Sequence, residues 1–369
     1  MKVIIPKSKL VSLIRKVQGI IPVKPSIPIL VNVLLEASHG ELILSASDLS
    51  LSIKTSVEAE ILEEGSIALP AKKFFPLISE LTAPIVEIHS SAKTANILSG
   101  SSKFKIQGSS KEEFPEIEDL PENSSLSISG SLLKELLSKT SFAAGKDETR
   151  PILHSVLLQS INSSLTTTGT DGKRLAKVHI ALAPSENTPS GSFILPVKTV
   201  EEMVRLLESQ EEKEEKITLL LLPEKLSLQV GSTTLISQLL TGHYPDVSRI
   251  IPSEARNPVS LHREELVSLL RQVALFTSEN NNSVRFSFTP GTLTLSAVSG
   301  IIGEGDVNMP ANYQGDPIDI AFNPNYFLDI LKHSTDETIL FDVLDSYNPG
   351  LITDSSNALF VLMPMKLDT

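Results

Sequence analysis

Seven histidines are the side chains best suited to acid–base or metal chemistry in this chain, and their spacing supports neither. They are scattered, with no HExxH and no paired metal-ligand spacing. There is no cysteine, which removes thiolate nucleophiles, thiolate metal sites and disulfides together. The segment GTDGK from Gly169 has the glycine and lysine of a phosphate loop but lacks the GxxxxGK[ST] spacing. GIIGEG from Gly300 is a glycine pattern in a strand-rich region with no βαβ unit around it. Asp48 and Asp171 each follow a strand-like stretch at equivalent places in the chain. A carboxylate duplicated in this way reads as a turn-former, since a catalytic group is rarely present twice. A hydrolase or nucleotide-binding function is therefore disfavoured; turnover or nucleotide binding by the purified chain would revive it.

The elements that carry these residues repeat. Pro28 opens PILVNVLLE and Pro151 opens PILHSVLLQ, an offset of 151 − 28 = 123 residues, and Asp48 and Asp171 are separated by the same 123. A second series runs through three copies: PAKKFFPLISEL from Pro70, PVKTVEEMVRLLES from Pro196, and NPNYFLDILKHS with Pro324. Each couples a helix-start signal to apolar residues at helical spacing. Thr199 and Glu202 add a capping-box pattern to the second of them. Three further helices are expected in SKLVSLIRKV from Ser8, SGSLLKELLSKT from Ser129 and HREELVSLLRQVAL from His262. The third copy is the most diverged, and its first strand is expected in SVRFSF from Ser283. A third of the 369 residues is again 123.

Three similar domains end to end follow, at 1–124, 125–253 and 254–369, with linkers in DLPENSS (119–125) and IIPSEARNP (250–258). Two helices among many short alternating strands give each an α+β architecture, with sheets covering one side of the helices. The period is far longer than a solenoid repeat, and the short, partly apolar linkers favour a rigid, curved assembly over beads on a string.

The composition fits folded cores, with 41% hydrophobic residues. No apolar run reaches the roughly 18 residues of a membrane span, and the N-terminus lacks the pattern of a signal peptide. A soluble, cytoplasmic protein is expected. The net charge of −12 argues by itself against gripping DNA, because such proteins neutralise many phosphates. The charge is uneven, however. Residues 1–35 hold six cations (Lys2, Lys7, Lys9, Arg15, Lys16, Lys24) and no acid, whereas ESQEEKEEK (208–216) reads as a solvated loop or helix end.

From end to end the chain resembles the bacterial beta sliding clamp, the beta subunit of DNA polymerase III. The matching stretches are KPSIPIL at Lys24, SDLSL at Ser47, PAKKFF at Pro70, SKFKI at Ser102, EFPEI at Glu113, GTDGKRLA at Gly169, HYPDVSRI at His243 and the terminal VLMPMKL. Their order, spacing and full-length coverage make the resemblance specific. It implies the DNA clamp fold, with helices lining the hole and antiparallel sheets outside. Two crescent-shaped chains join head to tail in a homodimeric ring. The implied function is a non-catalytic processivity factor around double-stranded DNA, without a cofactor or metal. Its implied partners are a clamp loader, replicative and repair polymerases, ligase and mismatch-repair proteins.

The resemblance also assigns residues. DNA contact is expected from Lys9, Arg15 and Lys16 on the first helix, Lys24 on the loop after it, and Lys72 and Lys73 on the second. Lys134, Lys139, Lys146, Arg150, Lys198, Arg205, Arg271 and Lys332 occupy comparable places later in the chain. Weak, sequence-independent attraction to phosphates is what sliding requires. A partner-peptide pocket between the second and third domains is expected from Leu153, Thr170, Gly172, Lys173, Arg174 and Leu175, with Pro245, Arg249 and Ile250. Val361, Leu362, Met363, Pro364, Met365 and Lys366 complete it. Two of the five methionines fall at this chain end, and methionine suits a surface that accepts several apolar peptides. Lys173 stands where many family members carry histidine, and Lys366 where arginine is common; a lysine lacks the planar fork of arginine, which bears on partner preference. Ring closure is expected to bring Lys103, Phe104, Lys105 and Ile106 on an edge strand against Leu275, Phe276, Glu304 and Asp306.

A tandem-domain scaffold that binds proteins without surrounding DNA would share the repeat and the pocket. The acid-free basic N-terminus and the interface strand separate the two readings, and persistent monomers in solution would favour the scaffold.

Overall fold

The computed structural model describes residues 1–121, 125–182, 189–209, 216–252, 258–278 and 282–366. Both expected linkers and the acidic run therefore lie partly outside the described residues, at 122–124, 253–257 and 210–215.

One arrangement occurs three times: strand, helix, a run of strands, helix, three strands. The first copy contains β1 Lys2–Pro6, α1 Lys7–Val17, β2 Asn32–Ser38, β3 Glu41–Ser47, β4 Leu51–Glu58 and β5 Glu60–Glu63. It continues through β6 Gly65–Pro70, α2 Ala71–Glu80, β7 Ile85–Ser91, β8 Thr94–Ser99 and β9 Ser102–Gln107. The second contains β10 Ser125–Ser129, α3 Gly130–Ser141, β11 Ser155–Ile161, β12 Ser164–Thr170 and β13 Arg174–Ala181. After these come β14 Gly191–Pro196, α4 Val197–Glu208, β15 Lys216–Leu221, β16 Lys225–Val230 and β17 Thr233–Gln238. The third contains β18 Pro258–His262, α5 Arg263–Ala274, β19 Val284–Thr289, β20 Thr292–Ser299 and β21 Gly303–Pro310. It closes with β22 Ile318–Phe322, α6 Pro324–His333, β23 Thr338–Asp342, β24 Gly350–Thr353 and β25 Ala358–Leu362. All six expected helices are present, and β19 lies where the first strand of the third copy was expected.

Each helix forms because one stripe of it is apolar. In α1, Leu10, Leu13, Ile14 and Val17 are buried at i, i+3, i+4 and i+7. In α5 the stripe is Leu266, Leu270 and Val273, and the His262 ring accepts a hydrogen bond from the Glu265 amide at 3.3 Å as an N-cap. In α6, Asn323 caps the Asn325 amide and Pro324 takes the first helical position. The capping box expected at Thr199 and Glu202 does not form. α4 already begins at Val197, which puts Thr199 inside its first turn, and the Glu202 carboxylate bonds Arg205 instead.

The chain forms two compact units, and neither follows the sequence thirds. Unit 1 comprises Met1–Lys134, Glu186–Pro189 and Glu201–Leu239; unit 2 comprises Glu135–Ser185, Ser190–Val200 and Leu240–Thr369. Unit 1 holds a five-stranded sheet, β5-β1-β7-β8-β9, and an eight-stranded sheet, β10-β15-β16-β17-β4-β3-β2-β6. Unit 2 holds an eight-stranded sheet, β14-β11-β12-β13-β25-β24-β23-β18, and a four-stranded sheet, β21-β20-β19-β22. Each eight-stranded sheet thus joins strands of two repeats, through β4–β17 in unit 1 and β13–β25 in unit 2. The centre of unit 2 includes Phe286, Phe322, Phe327 and Phe341, all fully buried, with ring centroids 5.1–6.3 Å apart.

The repeat extends to single bridges. After the last strand of each copy the chain returns to make an isolated antiparallel bridge with its own copy: Ser109 to Ala68 on β6, Leu240 to Ile194 on β14, and Met365 to Ala321 on β22. Among the described residues no helix is long and apolar enough to cross a membrane.

Candidate functional sites

The turn between β12 and β13 is built by Asp171. Its Oδ1 accepts from the Lys173 and Arg174 amides at 2.9 and 3.0 Å, while the Thr170 hydroxyl accepts from the Gly172 amide at 3.1 Å. Gly172 adopts φ +85°, the left-handed region that glycine enters without steric cost. The turn after β3 is its counterpart. Asp48 Oδ1 accepts from Ser50 and Leu51 at 2.9 and 2.7 Å, and Ser47 accepts from the Leu49 amide at 3.0 Å. The turn-forming role read from the duplication of this aspartate is what the geometry shows.

Behind the second turn, Arg174 is only 4% exposed. Its guanidinium bonds Asp171 at 3.1 Å, Asp329 on α6 at 2.6 Å and the Phe142 carbonyl at 2.8 Å, and it lies over the rings of Tyr326 and Phe142 at 4.6 and 5.5 Å. Phe142 stacks in turn on His333 at 4.2 Å. Burial depresses the His333 imidazole below its ordinary pKa, so the ring is held neutral. Arg174 was expected to meet a partner peptide; all its donors face inward, and it acts as a bolt between the turn, the end of α3 and α6.

The remaining pocket candidates fall into three groups. Thr170, Leu175, Val361 and Leu362 are buried, and the last three belong to the β13–β25 pairing beneath the surface. Leu153, Pro364 and Met365 are half-buried. Gly172, Lys173, Pro245, Arg249, Ile250, Met363 and Lys366 are exposed. The tail is tied to the turn by the Met363 amide, which donates to the Lys173 carbonyl at 2.9 Å, and to β22 by the Met365 amide at 2.7 Å. The Tyr244 hydroxyl donates to the Thr168 carbonyl at 3.2 Å and fastens residues 243–250 onto β12; burial raises its phenol pKa further. Ile152 approaches Gly242 so closely that a Cβ there would fall 3.2 Å from its Cδ1, while the Leu153 carbonyl accepts from the Gly145 amide at 2.8 Å. Arg249 projects into solvent, with Asp246 4.0 Å away as its one ion-pair partner among the described residues.

Sequence reasoning missed Phe142, Tyr244, Tyr326, Asp329 and His333. A weak signal existed for three of them: Tyr326, Asp329 and His333 share a helical face at i, i+3 and i+7, and a polar stripe on a core helix implies a partner.

The helix cations divide similarly. Lys9, Arg15, Lys24, Lys72, Lys73, Lys146, Arg150, Lys198, Arg271 and Lys332 are exposed. Lys134 is half-exposed and pairs with Glu208 at 3.1 Å. Three others depart from the expectation of open phosphate-facing cations. Lys139 is 5% exposed and pairs with Glu135 at 2.7 Å. Arg205 binds Glu202 and the carbonyls of Arg15 and Lys16, capping the C-terminal end of α1. Lys16 donates to Thr233 at 3.1 Å, and its burial lowers its pKa. Their charges are engaged by the fold.

Two of the sheet-edge strands carry the residues expected at the ring joint. β9 ends the five-stranded sheet and carries exposed Lys103, Phe104 and Lys105 with half-buried Ile106; β21 ends the four-stranded sheet and carries exposed Glu304 and Asp306. Leu275, at the end of α5, is 73% exposed, and Phe276 covers Gly305 so closely that a Cβ there would fall 2.8 Å from the ring.

Family models of the DNA polymerase III beta subunit match in order: the N-terminal domain over residues 1–118, the central domain over 127–246 and the C-terminal domain over 248–366. The chain is 45% identical to the beta sliding clamp of Chlamydia muridarum over 370 residues, covering 100% of this chain and 99% of the relative. It is 30% identical to that of Synechococcus elongatus, with full coverage of both. Among solved structures, the Bacillus subtilis DNA polymerase sliding clamp superimposes with a TM-score of 0.94 at 27% identity over the whole of both chains. The Bartonella birtlesii sliding clamp bound to griselimycin does so with 0.94 at 29%, again over both whole chains.

Proposed function

The chain belongs to the DNA polymerase III beta subunit family of sliding clamps, and from that premise we propose that it encircles duplex DNA as a head-to-tail homodimer and tethers replication proteins to it. It is a processivity factor and not an enzyme. The observation that carries the proposal is the pair of open edges. The strand joint made twice inside the chain, β4–β17 and β13–β25, leaves β21 and β9 unpaired at the two ends of the repeat series. A series of similar joints with one free member at each end closes by pairing with another copy.

The repeat boundaries are set at 124/125 and 253/254. DNA is held through the exposed cations Lys9, Arg15, Lys24, Lys72, Lys73, Lys146, Arg150, Lys198, Arg271 and Lys332, with Lys134 at half strength. These are charges at the surface, Lys9 also donating to the Glu58 carbonyl and Arg150 lying 3.9 Å from Asp147, and attraction through them is sequence-independent and screened by salt. The net charge of −12 keeps it weak.

Partners dock on the surface formed by Leu153, Gly172, Lys173, Pro245, Ile250, Met363, Pro364, Met365 and Lys366. The buried Thr170, Leu175, Val361 and Leu362 form its foundation, and Arg174 holds the turn in place. Two partly exposed methionines beside a glycine that leaves open space make an apolar, adaptable floor. A clamp loader, replicative and repair polymerases, ligase and mismatch-repair proteins are the proposed users, and griselimycin, bound by the Bartonella birtlesii relative, is expected to compete with them. The cytoplasm is the proposed compartment.

The test is topological. Labelled protein is loaded onto nicked circular DNA by a clamp loader, and the isolated complex is linearised. Release on cutting supports encirclement. Retention on linear DNA, with salt alone governing release, refutes it.

A further inference from the structure

The chain that follows β9 lies as a strap across one face of a sheet, and a groove runs beneath its edge. Cross-strand pairing puts Leu34 and Glu36 of β2, Ile43 and Ser45 of β3 and Lys54 of β4 on one face of the eight-stranded sheet of unit 1, turned away from the fully buried Leu42 and Leu44. Phe114 of the strap is pressed onto that face in one cluster with Leu34 and Ala68, and Ile117 packs against them. Ion pairs fasten both ends of the strap. Lys111 holds Glu36 and Lys93 holds Glu113 at 2.8 Å at one end, and Lys54 lies 4.0 Å from Asp119 at the other. Between strap and sheet an open cleft of about 880 Å³ remains. It continues past Ile43, Lys54 and Asp119 into a second of about 430 Å³ over β17, β16 and β15. Every residue lining the two belongs to unit 1.

The groove offers three kinds of contact. Ile43 and Ile117 are half-buried and give it an apolar floor. Ser45 and Ser227 line it at 3% exposure each, and among the described residues neither hydroxyl has a hydrogen-bond partner. Buried hydroxyls are ordinarily paired, so two unpaired ones in a groove are a donor and acceptor set for an occupant. The rim is acidic. Glu36, Glu41, Glu112, Glu116, Glu118 and Asp119 line the two clefts against Lys54 and Lys111, a balance of 2 − 6 = −4. Both lysines are already paired, with Asp119 and Glu36, and Glu118 forms no ion pair among the described residues.

The second repeat shows that this charge is not demanded by the skeleton. EFPEIEDL from Glu113 and HYPDVSRI from His243 share the aromatic–proline pair and the apolar places of Ile117 and Leu120, and each follows the isolated bridge that ends its repeat. The first carries four acids and no lysine or arginine; the second carries one acid and one arginine. We propose that the groove in unit 1 receives an extended basic segment of a partner protein, with an apolar side chain set over Ile43 and Ile117. From β2 to β15 it crosses five strand spacings of roughly 4.8 Å, about 24 Å, which an extended chain covers in about seven residues. Lysine or arginine meets the rim, the chain's own polar groups meet Ser45 and Ser227, and the same rim repels nucleic acid. The rim is opposite in charge to the surface of Lys173, Arg249 and Lys366, so the two surfaces select different partners.

The test uses the full chain and a fluorescein-labelled seven-residue peptide of alternating lysine and leucine, followed by fluorescence polarisation. Saturable binding of one peptide per chain is expected. E116K/E118K should weaken it at least about tenfold, and Ile43→Ala at least about threefold. A peptide of lysine alone, and one of alternating glutamate and leucine, should each bind at least about tenfold more weakly. A benzophenone on the first peptide should cross-link within 43–56, 112–120 or 220–234. Equal binding of the all-lysine peptide, or displacement by calcium ions alone, shows an acidic surface without a groove site and overturns the proposal. Cross-links confined to 172–175 or 361–366 put the peptide on the other surface and overturn it as well. So does a lack of saturation up to about 1 mM peptide. The peptide comparison and the cross-links use the unaltered chain, so they decide the matter even where a variant fails to fold.

Discussion

Asp48 and Asp171 organise two turns with the same bonds to within a few tenths of an ångström, yet the turns are finished differently. Three residues past the aspartate, the first carries Leu51, 2% exposed, and the second Arg174, 4% exposed. One step past it, the left-handed position holds Leu49 at φ +79° in the first turn and Gly172 at φ +85° in the second. The first turn is tied to its neighbour, since the Gln238 side chain donates to the Leu49 carbonyl at 3.1 Å, while the Leu49 side chain stays 41% exposed. The second leaves open space at Gly172 and moves its rigidity underneath, into the guanidinium. One backbone skeleton therefore carries an apolar side chain at its tip in unit 1 and a bare glycine in unit 2. The buried arginine lets the second turn lose its covering side chain without losing its shape.

The largest test of this contrast is Arg174→Ala. It strands Asp171 and Asp329, and should cost about 3 kcal/mol, the low end for a broken buried pair because Asp329 keeps partial contact with water. Urea unfolding followed by a probe in unit 2 checks it. Arg174→Lys should recover little, as a lysine cannot reach three acceptors at once. Loss of under 1 kcal/mol would show that the bolt is ornamental to the turn.

Next in size, Asp171→Ala should cost about 2 kcal/mol, because Asp171 both caps amides and pairs with Arg174, against about 1 for loss of the two amide caps that Asp48 supplies. Equal losses in parallel denaturation curves would erase the distinction drawn between the corners. Exchanging the left-handed residues sharpens it further. Gly172→Leu should destabilise by about 1 kcal/mol through backbone strain alone, since a Cβ there meets nothing within 4 Å, and Leu49→Gly should relieve a similar strain. Peptide binding should fall with Gly172→Leu and stay unchanged with Leu49→Gly.

The smallest effect is one of pH. His333 has a folded pKa below its unfolded value, so the unfolded state binds the proton first as pH falls. The stability held at neutral pH should be retained above about 6.5 and lost progressively below it, until the folded ring also protonates. His333→Phe should keep the stack on Phe142 and flatten the melting temperature of unit 2 between about pH 7 and 5.

The repeat was legible because PIL and the turn aspartates recur at one spacing, and the role of Asp48 and Asp171 followed from their duplication. The helices were legible from apolar stripes such as Leu10, Leu13, Ile14 and Val17. What lay hidden was long-range. Arg174 meets Asp329 across 155 residues of sequence, and no local pattern marks it as a bolt in place of a ligand-binding cation. Arg205 was hidden in the same way, with the carbonyls it meets 190 and 189 residues away, whereas Lys139 is held by Glu135 one turn earlier on its own helix. A lysine or arginine on a helix looks identical in sequence whether it faces solvent or an acceptor from another element. The two compact units were hidden too, since each eight-stranded sheet is sealed by a joint between repeats.

That joint sets a timetable for synthesis. Thr55 on β4 bonds Thr233 on β17 across 178 residues. At roughly 5–20 residues per second, a ribosome needs about 9–36 seconds between making the first and making the second. For that interval β4 is a nascent edge with no neighbour on one side. Its outward residues, Ser52, Lys54 and Ser56, are polar, with a charge at the centre. That is the composition that discourages a waiting strand from pairing with another unfinished chain on the same polysome.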